Sequence, residues 1–146
     1  MDRRWTIAPL MLFAACSAQP QTPVVKDAYI RLAAVPGRPA AGYFMMRGGA
    51  KDATLVKVEA AGVPRAELHG SRMTGNGMAT MDSLPNVPVP TGADVAFAPG
   101  GRHVMLFDVP ASVRAGATLP LTMRFADGSS TAVPAKVIAA GDAAPD

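Results

Sequence analysis

The sequence predicts an all-β protein, a β-sandwich or barrel with Greek-key connections, on three observations. Short apolar runs recur along the chain and are separated by glycine and proline, of which the chain has 14 each. Some runs alternate inward and outward positions, which is the pattern of a half-buried strand. No run keeps a helical period for long, so the elements between the turns are expected to be strands.

Nine strands are predicted between these turns, all within one domain. In chain order they are Val25–Ala33, Gly42–Arg47, Thr54–Ala60, Arg65–Gly70, Met78–Ser83, Asp94–Phe97, His103–Phe107, Leu119–Phe125 and Thr131–Ile138.

The N-terminal residues have the layout of a secretory signal, with two arginines, a short apolar run, small residues and then Cys16. The stretch "FAAC" resembles the lipobox of bacterial lipoproteins, in which the cysteine is lipidated and becomes the first mature residue. A plain signal peptide with Cys16 near its cleavage site is the alternative. We expect an exported protein, tethered to a membrane in the periplasm. The predicted segments are a signal peptide (1–15), a lipidated cysteine with a linker (16–23), the β-sandwich domain (24–139) and a disordered tail (140–146).

Charge and cysteine content exclude several classes of function. Removing residues 1–15 leaves 12 basic and 10 acidic residues, a balance that does not indicate nucleic-acid binding. Cys16 is the only cysteine, so the domain has neither a disulfide nor a thiolate ligand. The sequence has no Ser/His/Asp set and no phosphate-binding glycine loop, so we expect a protein that is not an enzyme.

The stretch "GGRHVMLFDV" combines the pattern of a buried strand with two side chains that bind metals. His103 and Met105 stand at i and i+2, which project from the same face of a strand. Val104 and Leu106 supply the opposite, apolar face. The alternative is an ordinary histidine beside a core methionine.

The second histidine lies in "AELHGSRMTGNGMATM", which is typical of a β-hairpin with a glycine-containing loop. The two strands of a hairpin lie about 5 Å apart, so His69 and Met81 are expected to be neighbours. If this hairpin packs beside the His103 strand, two imidazoles and two thioethers converge. Thioethers are soft, neutral ligands that suit copper(I), and imidazole binds copper in either oxidation state.

The interval from His69 to Met81, followed by twenty-one residues and then His103-x-Met105, resembles the H(M)X10MX21HXM signature of PCuAC copper chaperones. The stretches "DAYIRLAAVPGRPAAGYFMM", "LVKVEAAGVPRAELH" and "PGGRHVMLFDV" are similar to other parts of that family. The resemblance implies a cupredoxin-like fold and a monomer that carries copper(I) to an envelope acceptor. The implied acceptor is the copper subunit of cytochrome c oxidase, a Sco-type thiol protein, or both.

Two positions differ from the pattern of that family. Gly70 stands where many members have a second methionine, and Tyr29 stands where a tryptophan is common. The chain also lacks the His- and Met-rich C-terminal extension that some members use for a cupric site, so one copper ion per chain is expected. Met73 and Met78 are possible alternates to Met81.

Other methionines are interpreted as packing residues, namely Met45, Met46 and Met123. An electron-transfer role is excluded because a blue-copper site needs a cysteine thiolate. Two alternatives to copper delivery stay open: copper sequestration or resistance in the envelope, and a copper-independent β-sandwich that binds other proteins.

Overall fold

A computed structural model describes residues 18–146 and contains ten β-strands. The strands are β1 (Val24–Arg31), β2 (Ala40–Arg47), β3 (Ala53–Ala60), β4 (Arg65–Met73), β5 (Ala79–Ser83), β6 (Val87–Val89), β7 (Asp94–Phe97), β8 (Arg102–Phe107), β9 (Thr118–Phe125) and β10 (Ser130–Ile138). The predicted all-β class is confirmed. No stretch of residues 18–146 forms a helix of the length and apolarity needed to cross a bilayer.

The strands follow one hydrogen-bonded order, β5-β4-β8-β7-β2-β1-β10-β9-β3-β6, and β8 also pairs with β2. Two pairs in this order, β1 with β10 and β7 with β8, are parallel. Because β3 also packs against β4, strands near the two ends of the order meet around a common core.

The core is built from the inward positions of alternating strands. In β2 the pattern is regular: Phe44 and Met46 are buried, while Tyr43 and Met45 on the other face are half-buried. The ring of Phe44 stacks on Phe97 of β7 with centroids 4.3 Å apart. Burying a side chain of this size stabilises a fold by about 1.5–3 kcal/mol. The largest fully buried side chains are Phe97, Ile30, Met46, Leu55, Leu106, Leu121, Met123, Val58, Val87, Val89, Val104 and Val137.

All nine predicted strands are present, but the prediction was wrong about two local features. It missed β6, a three-residue strand with Pro88 at its centre, which pairs with β3 at the edge of the order. Proline is tolerated there because an edge strand can leave one side without hydrogen bonds.

The strand β4 also continues to Met73, three residues beyond the predicted end. The connection to β5 is therefore a tight turn, closed by hydrogen bonds between Thr74 and Met78.

The residues before β1 lie against the domain. The backbone N–H of Ala50 donates to the carbonyl of Pro20 at 2.9 Å, and Pro23 is buried. Gly49 makes this contact possible, because a Cβ at that position would stand 2.8 Å from backbone atoms of residues 20–22. The described part of the predicted linker is thus tied to the domain at Pro20 and Pro23, while residues 18–22 stay exposed.

Candidate metal centre

The strands β4 and β8 pair in antiparallel register with His69 directly opposite His103. Their ring centroids are 6.0 Å apart and the ring planes are inclined by 29°. The hairpin of β4 and β5 therefore packs beside the His103 strand. This is the arrangement that a site shared by the two histidines needs. Directly paired residues project from the same face of a sheet, so both imidazoles lie on one side.

This side is the outer face of the sheet, and the opposite face belongs to the core. Leu68 is 5% exposed, and Val104 and Leu106 are fully buried on the inner face. His103 is nonetheless only 5% exposed, because neighbouring side chains cover it on the outer face. One of these is Tyr43, whose ring centroid lies 6.5 Å from that of His103. Burial raises the pKa of the Tyr43 hydroxyl, so this neighbour stays neutral.

Each histidine uses one ring nitrogen in a hydrogen bond and leaves the other free. The His103 Nδ1 lies 3.0 Å from the carbonyl oxygen of Gly101, which can only accept, so Nδ1–H is the donor. The His69 Nε2 lies 3.0 Å from the Glu67 carboxylate and donates to it in the same way. The two remaining atoms, His69 Nδ1 and His103 Nε2, are buried without a hydrogen-bond partner among residues 18–146. Leaving a buried acceptor without a partner is costly, so both nitrogens are candidates for binding a ligand.

Thioethers lie on both sides of the imidazole pair. Met105 follows His103 by two residues and stands on the same face of β8, where it is half-buried. Met81 lies on β5 opposite Ser71, which follows His69 by two residues on the outer face of β4. The residue directly opposite His69 on β5 is Ser83, so Met81 is a diagonal neighbour of His69. Long side chains reach across such diagonals.

The two alternate methionines lie at different places on the hairpin, Met73 within β4 and Met78 at the turn before β5. Met73 continues the outer face of β4 beyond Ser71 and is 68% exposed. Met78 pairs with Thr74 at the turn, and the alternation of the strand assigns it to the other face, where it is 66% exposed. The predicted packing roles of Met46 and Met123 are confirmed, since both are fully buried.

The donor set at this place is compatible with a soft cation and with few others. Within residues 18–146, no three His, Cys, Asp or Glu side chains are placed to hold one ion. A metal at the two free imidazole nitrogens would therefore complete its shell with thioethers, which suit copper(I) and not zinc, calcium or magnesium.

Sequence reasoning missed Glu67, which lies opposite Met105 and accepts hydrogen bonds from His69 and Arg65. The hydrogen bond from His69, and then the positive charge of Arg65, lower the pKa of Glu67, so the carboxylate is ionised at neutral pH. A signal was present, because Glu67 and His69 have the same i, i+2 spacing as His103 and Met105.

The family model described as "Putative lipoprotein LpqE-like" matches residues 24–137. This chain belongs to the LpqE-like family. A relative named "Putative lipoprotein Lxx21020" comes from Leifsonia xyli subsp. xyli and is 32% identical over 149 residues. The match covers 92% of this chain and 89% of the relative.

Solved structures of PCuAC domains share the fold of this LpqE-like chain. The "Copper-bound PCuAC domain from PmoF2" superposes with a TM-score of 0.65 at 19% identity, covering 84% of this chain and 96% of that domain. The solution structure of "CuI-DR1885" from Deinococcus radiodurans gives a TM-score of 0.64 at 25% identity, covering 86% and 83%. The predicted cupredoxin-like fold is confirmed, and the resemblance to PCuAC domains is supported at the level of the fold.

Proposed function

We propose that this LpqE-like protein is a copper(I) carrier of the cell envelope, and that His69, Met81, His103 and Met105 hold one copper(I) per chain. The observation that carries the proposal is the directly paired His69 and His103, each with a buried ring nitrogen that has no hydrogen-bond partner among residues 18–146, and with thioethers on the same face. Two proteins with the same fold, the copper-bound PCuAC domain from PmoF2 and CuI-DR1885, hold copper, which supports the proposal.

The chemistry of the donor set favours carriage over catalysis. Four neutral ligands match the softness of copper(I) and bind it without a thiolate, which an oxidising compartment would convert to a disulfide. The proposed ligands also differ in their exposed fraction, which is 5% for His103 and 54% for Met81. An acceptor can therefore approach through the Met81 side while the imidazoles still hold the ion.

Delivery follows from the difference in ligand strength between carrier and acceptor. Thiolates bind a soft cation more strongly than thioethers, so copper(I) passes downhill to a thiolate site. The copper subunit of cytochrome c oxidase and Sco-type proteins have such sites, and we propose one of them as the acceptor. Transfer to these proteins can be followed by NMR after mixing. If copper(I) stays on the carrier with every acceptor, and a deletion strain respires normally but is copper-sensitive, sequestration is the better account.

The ligand set is tested on the isolated domain by competition with a copper(I) chelator and by X-ray absorption spectroscopy. We expect one copper(I) per chain and a shell of mixed nitrogen and sulfur. A shell of oxygen and nitrogen alone would contradict the proposal, and a domain that does not compete with the chelator would indicate a copper-independent interaction domain.

The methionines provide a prediction with an internal control. Met81→Ala should weaken copper(I) binding by about tenfold, or about 1.4 kcal/mol. The loss is modest because Met73 lies on the same face and can replace the lost sulfur, so the double variant with Met73→Ala should lose more. Met78→Ala is the matched control, since Met78 is equally exposed but assigned to the other face. Chelator competition measures all three, and an equal loss in Met78→Ala would show that face does not matter.

We further propose that Cys16 carries the lipid anchor and that the domain faces the periplasm. Membership of a family described as lipoproteins supports this reading. Cys16→Ser should move the protein from the membrane to the soluble fraction, because the acylated residue is lost. Ser17→Ala, which keeps the cysteine, should stay at the membrane. Fractionation and mass spectrometry measure both, and a wild-type protein that is soluble and unmodified would refute the anchor.

A further inference from the structure

We propose that Glu67 is a positioning residue that commits His69 to bind copper(I) through Nδ1, while His103 binds through Nε2. This inference rests on the proposed function and deepens it. It assigns different ring nitrogens to the two histidines, and it gives a role to a carboxylate outside the predicted ligand set.

The first support is the hydrogen bond between Glu67 and His69. The two residues stand at i and i+2 on the outer face of β4, with Oε2 and Nε2 3.0 Å apart. A carboxylate can only accept, so the neutral imidazole keeps its proton on Nε2 and its lone pair on Nδ1. That Nδ1 atom is buried and has no partner in the described part of the chain. The nitrogen freed by Glu67 is thus the one that needs a ligand.

The second support is that the Glu67 side chain is itself held in place. Arg65 donates to the other carboxylate oxygen, Oε1, at 2.7 Å. The guanidinium carbon of Arg65 lies 3.7 Å from the ring centroid of Phe107, a cation–π contact that fixes the arginine. Each carboxylate oxygen therefore has its own donor, and the His69 ring is oriented through a chain that begins at Phe107.

The third support is the contrast between the two histidines. His103 donates to the neutral carbonyl of Gly101, whereas His69 donates to an anion. A carboxylate that accepts from a metal-bound imidazole raises the basicity of that ligand and fixes its tautomer. Glu67 is not counted as a ligand, because its oxygens are occupied and carboxylate oxygen suits hard cations rather than copper(I).

The test combines the tautomer of the metal-free protein with copper(I) affinity. In the wild type, long-range ¹H–¹⁵N NMR should show His69 protonated on Nε2 and His103 on Nδ1. Glu67→Ala should abolish the preference at His69 and leave His103 unchanged. Its copper(I) affinity should fall by about 10- to 100-fold, the usual effect of removing an outer partner of a metal-binding histidine. In Glu67→Gln the amide oxygen still accepts, so the tautomer should be restored and the affinity should be intermediate.

Glu59→Ala is the matched control, because Glu59 also has two basic partners, Lys57 and Arg124, but lies on β3. It should change neither readout. An unchanged His69 tautomer in Glu67→Ala, with an affinity within about twofold of the wild type, overturns the inference and leaves the proposed function intact. Failure of the wild type to bind copper(I) overturns the proposed function instead, and the NMR result on the metal-free protein separates the two. If Glu67→Ala does not fold, Glu67→Gln decides, since a folded Gln variant that binds copper(I) as tightly as the wild type would also contradict the role.

Discussion

Replacing His103 with alanine is expected to lower the affinity for copper(I) by at least about 100-fold. This loss is larger than the usual effect of removing a residue that only hydrogen-bonds to a metal ligand. His103 supplies one of the two buried ring nitrogens that have no hydrogen-bond partner in the described part of the chain, and the sequence has only one other histidine. The other histidine, His69, already belongs to the candidate site, so it cannot replace the lost imidazole. Chelator competition measures the loss, and X-ray absorption should show fewer nitrogen neighbours.

Ser83→Ala is the control for this variant, because Ser83 lies directly opposite His69 but offers a hard hydroxyl oxygen. It should bind copper(I) like the wild type. Circular dichroism should show that His103→Ala keeps its β-structure, since the ring lies outside the core. An unfolded His103→Ala variant would instead identify the residue as structural.

The second large effect is expected next to this histidine, on the other face of the same strand. Val104→Asp should destabilise the domain by about 4 kcal/mol or more, because it buries a carboxylate without a partner at a fully buried position. Val104 is paired with Gly42 of β2. A Cβ added to Gly42 would lie only 3.4 Å from the Cβ of Val104, so there is little free space around this side chain. Since whole domains are stable by about 5–15 kcal/mol, this variant should lose about a quarter of its stability or more.

Urea denaturation followed by circular dichroism measures this cost. Val56→Asp provides the same substitution at a position that is 41% exposed on β3, where the expected cost is about 0.5 kcal/mol or less. Equal stability of the two variants would contradict the assignment of Val104 to the core.

The strands were predictable because alternation and turn residues are local signals. The pair His103 and Met105 could be assigned to one face from spacing alone, since the strand period is 2. The strand β6 was not predictable in this way, because its alternation of buried Val87 and Val89 around exposed Pro88 spans only three residues, and a proline within a run argues against a strand. Its pairing with β3 is a tertiary contact that only the folded chain provides.

For the candidate site, the sequence pointed to the two histidines that the structure places side by side, but it did not determine the register of the hairpin. The sequence indicated that the hairpin brings Met81 near His69, yet the length of the turn after Met73 decides which residues are opposite. With the turn closed between Thr74 and Met78, Ser83 rather than Met81 faces His69. The sequence also did not predict which ring nitrogen of each histidine is left to bind a ligand, because that depends on hydrogen bonds to Glu67 and to the Gly101 carbonyl.

The packing of residues 20–23 against Gly49 determines how far an anchored domain can travel. Only four residue steps separate Cys16 from Pro20, which the Ala50 N–H holds to the domain. Fully extended, those steps span at most about 14 Å. With the lipid proposed at Cys16, the domain would stay within a short distance of its membrane. Its encounters with acceptors would then be a two-dimensional search, in which a partner in the same membrane has a much higher effective concentration than one in solution.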